Sequence, residues 1–234
     1  MSTKVIVSYD GTANEDDAIA LGRLLGRAGA EVSLAYVRHA HEVDAGREKA
    51  VEAQAHGLLE GGVELLGDSA AKLHVVTDRS TPEGLGKLAA SEGADVIVFC
   101  SDSHTAKGHV SVGNSAERLL EGGATAIAIA PVDLSEQANG NTPKNIVAVG
   151  DAEGGARETA EALARAFGGQ VAPVVGEDTD LLVIDSRAGA PEGRVSLTSS
   201  AAHLIETATC PVLVLPRGGK LSFSGSGSGA AAAA

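Results

Sequence analysis

The side chains able to do chemistry sit where apolar runs end. Asp10, followed by Gly11 and Thr12, closes a run over residues 4 to 9, and Asp before Gly is a turn signal that leaves a carboxylate at a strand end. A second run, Asp95 to Cys100, empties into a polar loop from Ser101 to Val112 that holds Ser103, Lys107, His109 and Ser111. Gly113, Asn114 and Ser115 follow, and Asn or Ser is the ordinary opening of a helix. Ser103, Ser111 and Ser115 are candidate nucleophiles for slow phosphoryl transfer, a chemistry that would need a metal beside them. No Walker lysine motif and no nucleophile elbow accompanies them. Cys100 and Cys210 are too few for a disulfide framework, and no Cys or His pair has metal-ligand spacing. Lys107 and His109 either meet an anion or lie in solvent. The pattern points to ligand binding more than to catalysis.

Those residues need a sheet to hold them. The run at 4 to 9 predicts a strand, and a helix from about Glu15 to Arg27 follows, with Asn14 as its cap, Glu15, Asp16 and Asp17 against its N-terminal dipole, and Ala18, Leu21, Leu24 and Leu25 facing inward. Glu31 to Val37 reads as a strand and Asp44 to Leu66 as a long helix with Ala50, Val51, Leu58, Leu59 and Leu65 toward the core. Leu73 to Val76 is a strand, and a helix starts with Thr81 as cap and Pro82 in its first turn. A strand at Asp95 to Cys100, a helix from about Asn114 and a strand at Thr125 to Ala130 complete the series. Strand alternating with helix predicts a doubly wound parallel sheet, with any ligand at the carboxyl ends of its strands. Asp10, Val37 and the loop after Cys100 fall on that edge.

The series then repeats in shorter form. Strands at 145 to 149, 170 to 175, 181 to 185 and 212 to 215 and helices at about 156 to 167 and up to Thr207 leave no room for the second helix, third strand and third helix of the first copy. The repeat is a whole domain, far longer than the roughly 20 to 50 residues of a solenoid unit. We therefore expect an α/β protein of two tandem Rossmann-like domains, residues 1–134 and 144–218, joined by a linker at 135–143 and followed by a flexible tail at 219–234. The shortened half should lean on the first for burial. The closing strands, Ile127 to Ala130 and Val212 to Leu215, are expected to pair within the chain, an intramolecular pseudo-dimer; a homodimer of whole chains is left open.

Composition agrees. Apolar residues make up 44% of the 234, aromatics only 2%, and there is no Trp, which suits strands of Val, Ile, Leu and Ala buried on both faces. No apolar run approaches the roughly 20 residues that span a bilayer, and no signal segment precedes the first strand, so a soluble cytoplasmic protein is expected. A net charge of −13 argues against nonspecific nucleic-acid binding.

The run from Val5 through Asp10, Gly11 and Thr12, the segment Gly113-Asn114-Ser115-Ala116-Glu117-Arg118, and the ending Thr209-Cys210-Pro211 to Pro216 together resemble the universal stress protein family, and the chain to about Gly218 resembles a tandem member with a shortened second domain. The resemblance implies adenine-nucleotide binding at the carboxyl edge, ATP with Mg²⁺, through an Asp after the first strand, a small aliphatic residue after the second, and a loop of the form Gly, two residues, Gly, nine residues, Gly, Ser or Thr. The positions that match are Asp10, Gly11, Val37, Ser101, Ser103, Gly113, Asn114 and Ser115. Two glycines of the loop are replaced, by Cys100 and Ser103, and Asp102 puts a carboxylate where phosphate would lie. In the second copy the loop reads Asp185, Ser186, Arg187, Ala188; Gly150 stands at the place of Asp10 with Asp151 one step on, and Arg187 and Arg194 either attract an anion or lie on the surface, where Glu192 could pair with them. The implied function is a noncatalytic stress-response regulator that binds ATP weakly in its first half or not at all. A protein-binding module without nucleotide and a slow ATPase or autophosphorylating protein are the alternatives.

Overall fold

The structure is a computed structural model that describes residues 2–12, 14–39, 45–137, 142–150 and 154–225, with the backbone alone at 45–49. Its apolar runs become nine strands and the segments between them seven helices. The first half contributes β1 (Lys4–Ser8), α1 (Glu15–Arg27), β2 (Glu31–His39), α2 (Ala45–Leu66), β3 (Lys72–Asp78), α3 (Thr81–Glu92), β4 (Val96–Cys100), α4 (Asn114–Leu120) and β5 (Ala126–Ala130). A short α5 (Leu134–Gln137) leads on to β6 (Asn145–Val149), α6 (Gly155–Phe167), β7 (Gln170–Ala172), β8 (Leu181–Asp185), α7 (Ser199–Glu206) and β9 (Val212–Leu215).

All nine strands lie in one sheet, in the order β3-β2-β1-β4-β5-β9-β8-β6-β7. Every neighbouring pair is parallel except β5 and β9, which run antiparallel with Ile127 opposite Val214, Ala128 opposite Leu213 and Ile129 opposite Val212. The closing strands thus pair with each other inside the chain. Because helices cover both faces, strand residues are apolar without alternation and simply divide between two cores. Val5, Val7, Val96, Val98, Ala126 and Ala128 face α1, α2 and α6. Ile6, Ile97, Phe99, Ile127 and Ile129 face α3, α4 and α7. No helix among the described residues is long and apolar enough to cross a membrane.

The two halves are related by register as well as by order. Val5 lies beside Val96 as Ile146 lies beside Leu181, and the carboxylates Asp95 and Asp180 accept from the main chain at Lys4 and Asn145 respectively. Between β7 and β8 only eight residues, 173 to 180, replace the α2, β3 and α3 of the first half. Counting along β6 from this register puts Val149 at the place of Ser8 and Gly150 at that of Tyr9. Gly150 is therefore not the counterpart of Asp10, and the displaced Asp151 of the sequence reading lies outside the described residues.

Several local expectations are corrected. The α3 cap is Ser80, whose hydroxyl accepts from Glu83 N, with Thr81 already helical. Asn14 has a left-handed backbone (φ 71°) and makes no side-chain cap. Its Nδ2 instead donates to Asp102 O at 3.3 Å. On α2, Leu65 is exposed and Leu66 is buried in its place; the expected start at Asp44 lies outside the described residues. β3 extends two residues beyond the expected end to Asp78. β7 stops at Ala172, since Pro173 has no N–H for a ladder, and Val174 beyond it is 70% exposed. The linker contains α5, whose start is held by the buried Asp17: its carboxylate accepts from Asp133 N at 2.9 Å, Ser135 N at 2.8 Å and Ser135 Oγ at 2.7 Å.

The tail is corrected in its first part. Leu221 and Phe223, each 8% exposed, enter the same core as α1 and α6. Leu221 N donates to Thr159 Oγ1 on α6 at 3.0 Å, and Ser222 O accepts from Thr3 Oγ1, just before β1, at 2.7 Å. Lys220 pairs with Glu158 at 2.9 Å. Residues 219 to 225 are thus a strap that crosses from one half to the other; the rest of the tail lies outside the described residues. Deleting a buried aromatic costs about 3 to 5 kcal/mol in a closed core, and a surface strap can relax part of that. Phe223→Ala is expected to lower unfolding stability by about 2 to 4 kcal/mol in urea titration. Tryptic release of α1 and of α6 should accelerate together, because the strap holds both.

Candidate functional site

Chain order reverses at β1, which has β2 on one side and β4 on the other, and the crevice at such a switch point is where open α/β sheets take ligands. A cavity of about 270 Å³ opens there, lined by Ser8, Asp10, Thr12, Glu15 and Thr81, by Phe99 to Ser103, and by Gly113 to Ala116. Six of the eight residues read from the sequence come together in it: Asp10, Ser101, Ser103, Gly113, Asn114 and Ser115. Gly11 and Val37 do not line it. Val37 is 8% exposed and packs in the core beneath α3, where a Cβ on Gly84 would come within 2.8 Å of it. Gly11 adopts φ +75°, and a Cβ there would lie 2.5 Å from Leu58 on α2; the turn therefore requires glycine at this position.

Ser101 lines the cavity but is committed to the scaffold. It is fully buried; its hydroxyl donates to Ala130 O at 2.6 Å and accepts from Ser111 N at 3.1 Å. Ser186 repeats this in the second half, donating to Leu215 O at 2.7 Å and accepting from Ser196 N at 3.0 Å. One residue before each accepted amide, the loops cross to the other half: Val110 N donates to Ala208 O and Val195 N to Gly123 O. The loop after β4 is thereby laid along the seam. Lys107 is carried away with it, 2.7 Å from Asp133, and the backbone there is tied to Val132, which donates to His109 O and accepts from Gly108 N.

The acids at the start of α1 divide by burial. Asp16 is exposed, Asp17 holds α5, and Glu15, 6% exposed, turns its carboxyl back to the turn it follows. Its Oε2 accepts from Asp10 N and, at 2.7 Å, from Gly11 N. Asp10 in turn accepts from Thr12 N at 3.0 Å, the turn-forming role its Asp-Gly sequence suggests. Burial, with the Asp10 carboxylate beside it, pushes the Glu15 pKa up to about 8. Burial likewise pushes the Cys100 and Cys210 thiols up to about 12, which leaves them unreactive thiols.

The donor set does not fit a polyphosphate. Among the described residues Asp10, Glu15 and Asp102 line the cavity and no Lys or Arg does; two like charges 4 Å apart near a protein surface repel by about 4 kcal/mol. The backbone donors of Asp10 and Gly11 already serve Glu15. No group of three or more His, Cys, Asp or Glu able to hold a metal occurs among the described residues. At about 270 Å³ the cavity lies just below the usual roughly 300 to 1,000 Å³ of small-molecule sites. Catalysis finds no relay either. Ser103 Oγ and Asp102 Oδ1 both lie 3.3 Å from the same nitrogen, Nδ1, of the exposed His104, whereas a triad needs its acid and its nucleophile on opposite ring nitrogens.

In the second half, Asp185 stands where Cys100 stands in the first, and its Oδ1 accepts from Ala156 N at the start of α6 at 2.8 Å. Gly150 leaves the space its Oδ2 fills. Arg187 donates to Ser196 Oγ at 2.8 Å and Arg194 to Gly122 O at 3.2 Å, while Glu192 pairs with Arg217 at 3.6 Å. Both arginines thus serve loop structure, and neither pairs with Glu192. A carboxyl thus accepts from the main chain beside the first helix of each half, Glu15 from Asp10 and Gly11 and Asp185 from Ala156. The sequence held one signal for this: Glu15 lies on the same helical stripe as Ala18, Ile19 and Gly22, all buried, and an acid on a buried stripe must have a partner.

A group whose pKa is raised from 4.5 to about 8 on folding adds stability while it is protonated. That contribution is full below pH 4.5 and is lost as pH rises through 8, at up to about 1.4 kcal/mol per pH unit. Glu15→Gln keeps the oxygen acceptor and removes the titration. Its urea midpoint is expected to match the wild type below about pH 4.5, to exceed it increasingly as pH rises toward about 8, and to keep a constant lead above that; parallel pH profiles of the two proteins would contradict the assignment.

No family model matches the sequence, and no curated protein matches it. Solved structures match along nearly the whole chain. A universal stress protein from Archaeoglobus fulgidus DSM 4304 superposes with a TM-score of 0.69 at 14% identity, covering 93% of this chain and 100% of its own. A functionally unknown protein from Pseudomonas aeruginosa PAO1 does so with a TM-score of 0.58 at 14% identity, over 92% of this chain and 93% of its own. At such identities the likeness is one of architecture: the chain has the fold of the universal stress proteins.

Proposed function

We propose that the chain is a noncatalytic stress-response regulator of the universal stress protein type, with residues 1–134 as the ligand-binding unit and 144–218 as a built-in partner that completes an intramolecular pseudo-dimer. The observation that carries this reading is the switch-point cleft, where Asp10, Gly113, Asn114 and Ser115 from two of the three family-like segments meet in one cavity. Its ligand is of the adenine nucleoside class. ATP with Mg²⁺ is the poorer member of that class here, because the cleft supplies three carboxylates and no lining cation.

The noncatalytic part rests on the candidate nucleophiles. The backbone of Ser111 is tied to Ser101, Ser103 shares a histidine nitrogen with Asp102, and Ser115, though it shares the cavity with Asp10, Glu15 and Asp102, has no hydrogen bond to any of them among the described residues. The protein-binding reading without any nucleotide is favoured by one observation of its own: the loop after β4, which in a nucleotide site would wrap phosphate, is bonded across the seam through Val110. A cytoplasmic location belongs to the same proposal.

Calorimetry separates the readings. Adenosine and ATP, with and without Mg²⁺, are titrated into the wild type and into Asp10→Ala combined with Gly113→Trp; a Cβ at Gly113 meets nothing within 4 Å, so the indole can enter the cavity. Adenosine is expected to bind saturably, ATP more weakly, and the double variant to bind neither. Absence of heat for both ligands at millimolar concentration would leave the protein-binding reading, and release of ADP during the titration would refute the noncatalytic one.

A further inference from the structure

The β1–α1 turn is built like an anion seat. Gly11, in the left-handed region at φ +75°, follows Asp10 so that successive N–H groups converge, and such backbone concavities take anions. The seat is filled from within the chain. Glu15 Oε2 accepts from both Asp10 N and Gly11 N, and the glutamate lines the same cavity as Asp10, Asp102 and the Gly113 helix start.

We propose that Glu15 sets the ligand class of the cleft: by holding the anion seat with its own carboxyl, it admits an uncharged nucleoside and rejects phosphorylated ones, most strongly when it is ionised. The inference rests on the cleft being the ligand site. Phosphate entering the seat must displace Glu15 from two main-chain donors or approach it as a like charge, and the surroundings offer nothing to offset that. Among the described residues the titratable groups nearest Glu15 are Tyr9 and Asp10 in the turn and Cys100 on β4, with Asp16 and Asp17 on its own helix and Asp102 on the same cavity, and none of these is a cation. Lys107, the one lysine of that loop, is held by Asp133 and Glu136. An uncharged nucleoside leaves the seat as it is and needs only the room beside Asp10 and Gly113 to Ser115. The raised pKa of Glu15, about 8, gives the discrimination a pH dependence, since the neutral carboxyl still occupies the seat but no longer repels.

The test is binding of adenosine and of AMP to the wild type and to Glu15→Gln, which fills the same seat with a neutral amide, one measurement below and one above the Glu15 midpoint of about 8. Comparing the two proteins at one pH cancels the titration of AMP itself. Above the midpoint, AMP should bind the variant at least about tenfold more tightly than the wild type, a difference of about 1.4 kcal/mol. Below it the two proteins should agree within about twofold, and adenosine should bind both alike at either pH. A second reading comes from the ¹³C carboxyl shift of Glu15 in the wild type: AMP should raise its titration midpoint, by linkage, and adenosine should not. If adenosine binds but AMP affinity is the same in both proteins above the midpoint, or AMP leaves the Glu15 midpoint unmoved, Glu15 is not the determinant and the cleft reading survives. If adenosine binds neither protein, or binds Gly113→Trp as well as the wild type, the cleft is not the ligand site and the inference falls with it.

Discussion

The antiparallel pair of β5 and β9 is the interaction on which the other features depend. A parallel half-sheet that ends on a strand as apolar as Ala126 to Ala130 leaves a row of backbone donors and acceptors open, a template for pairing with any other chain. Here the last strand of the second half closes it, and one sheet of nine strands results. The pairing also explains how the short half survives. Among the described residues its helical cover is α6 and α7, and by the scaling of surface with size a unit of its length is marginal by itself. Through β9 its sheet becomes part of a larger one, and its apolar residues join cores that begin in the first half.

The seam then dictates what the loops at the carboxyl edge can do. Ser101 and Ser186 each fasten the start of a loop to the end of the next strand, and Val110 and Val195 hand the two loops to the opposite half. A loop held in this way cannot also wrap a phosphate chain. The two glycines that a phosphate-wrapping loop would need are absent, and the residues in their places have other work: Cys100 is largely buried with a thiol pushed far above the neutral range, and Ser103 faces solvent beside His104. The residues in this loop and its anchoring are thus parts of one arrangement, a loop shaped by the partner half.

Much of the fold was legible because its strands are bold. Runs such as Val5 to Tyr9 and Ala126 to Ala130 are apolar without alternation, which strands covered on both faces must be, and the open edges of the two closing strands made the pairing of β5 with β9 readable. What escaped was of another kind. The strap at Leu221 and Phe223 is flanked by Gly and Ser, a composition that reads as loose chain, and its burial depends on a groove between α1 and α6 that exists only after both halves have joined. Val37 lies on the expected strand near the expected edge, yet whether a side chain two residues before a strand's end points into a cavity or under a helix is decided by the packing of α3, which the strand's own sequence does not contain. The capping errors have the same origin. Asn14 and Thr81 are good caps by type, but the turn geometry set by Gly11 and by the residues preceding Pro82 assigned other roles to them.

The three acids that open α1 show how far a local rule can carry. Their charge suits the helix dipole, and that argument treats Glu15, Asp16 and Asp17 alike. Burial separates them. A carboxyl taken out of water must be met by donors or else neutralised, and the two buried acids solve this differently. Asp17 gathers three donors from the start of α5 and so ties the connection between the halves to the first helix. Glu15 has two backbone donors on one oxygen and a carboxylate for a neighbour, and it answers by holding its proton to a higher pH. In the second half the acid comes from the strand: Asp185 accepts from Ala156 N at the start of α6, in the space that Gly150 leaves. A carboxyl beside the first helix of each half is thus met by backbone donors, those of Asp10 and Gly11 for Glu15 and that of Ala156 for Asp185.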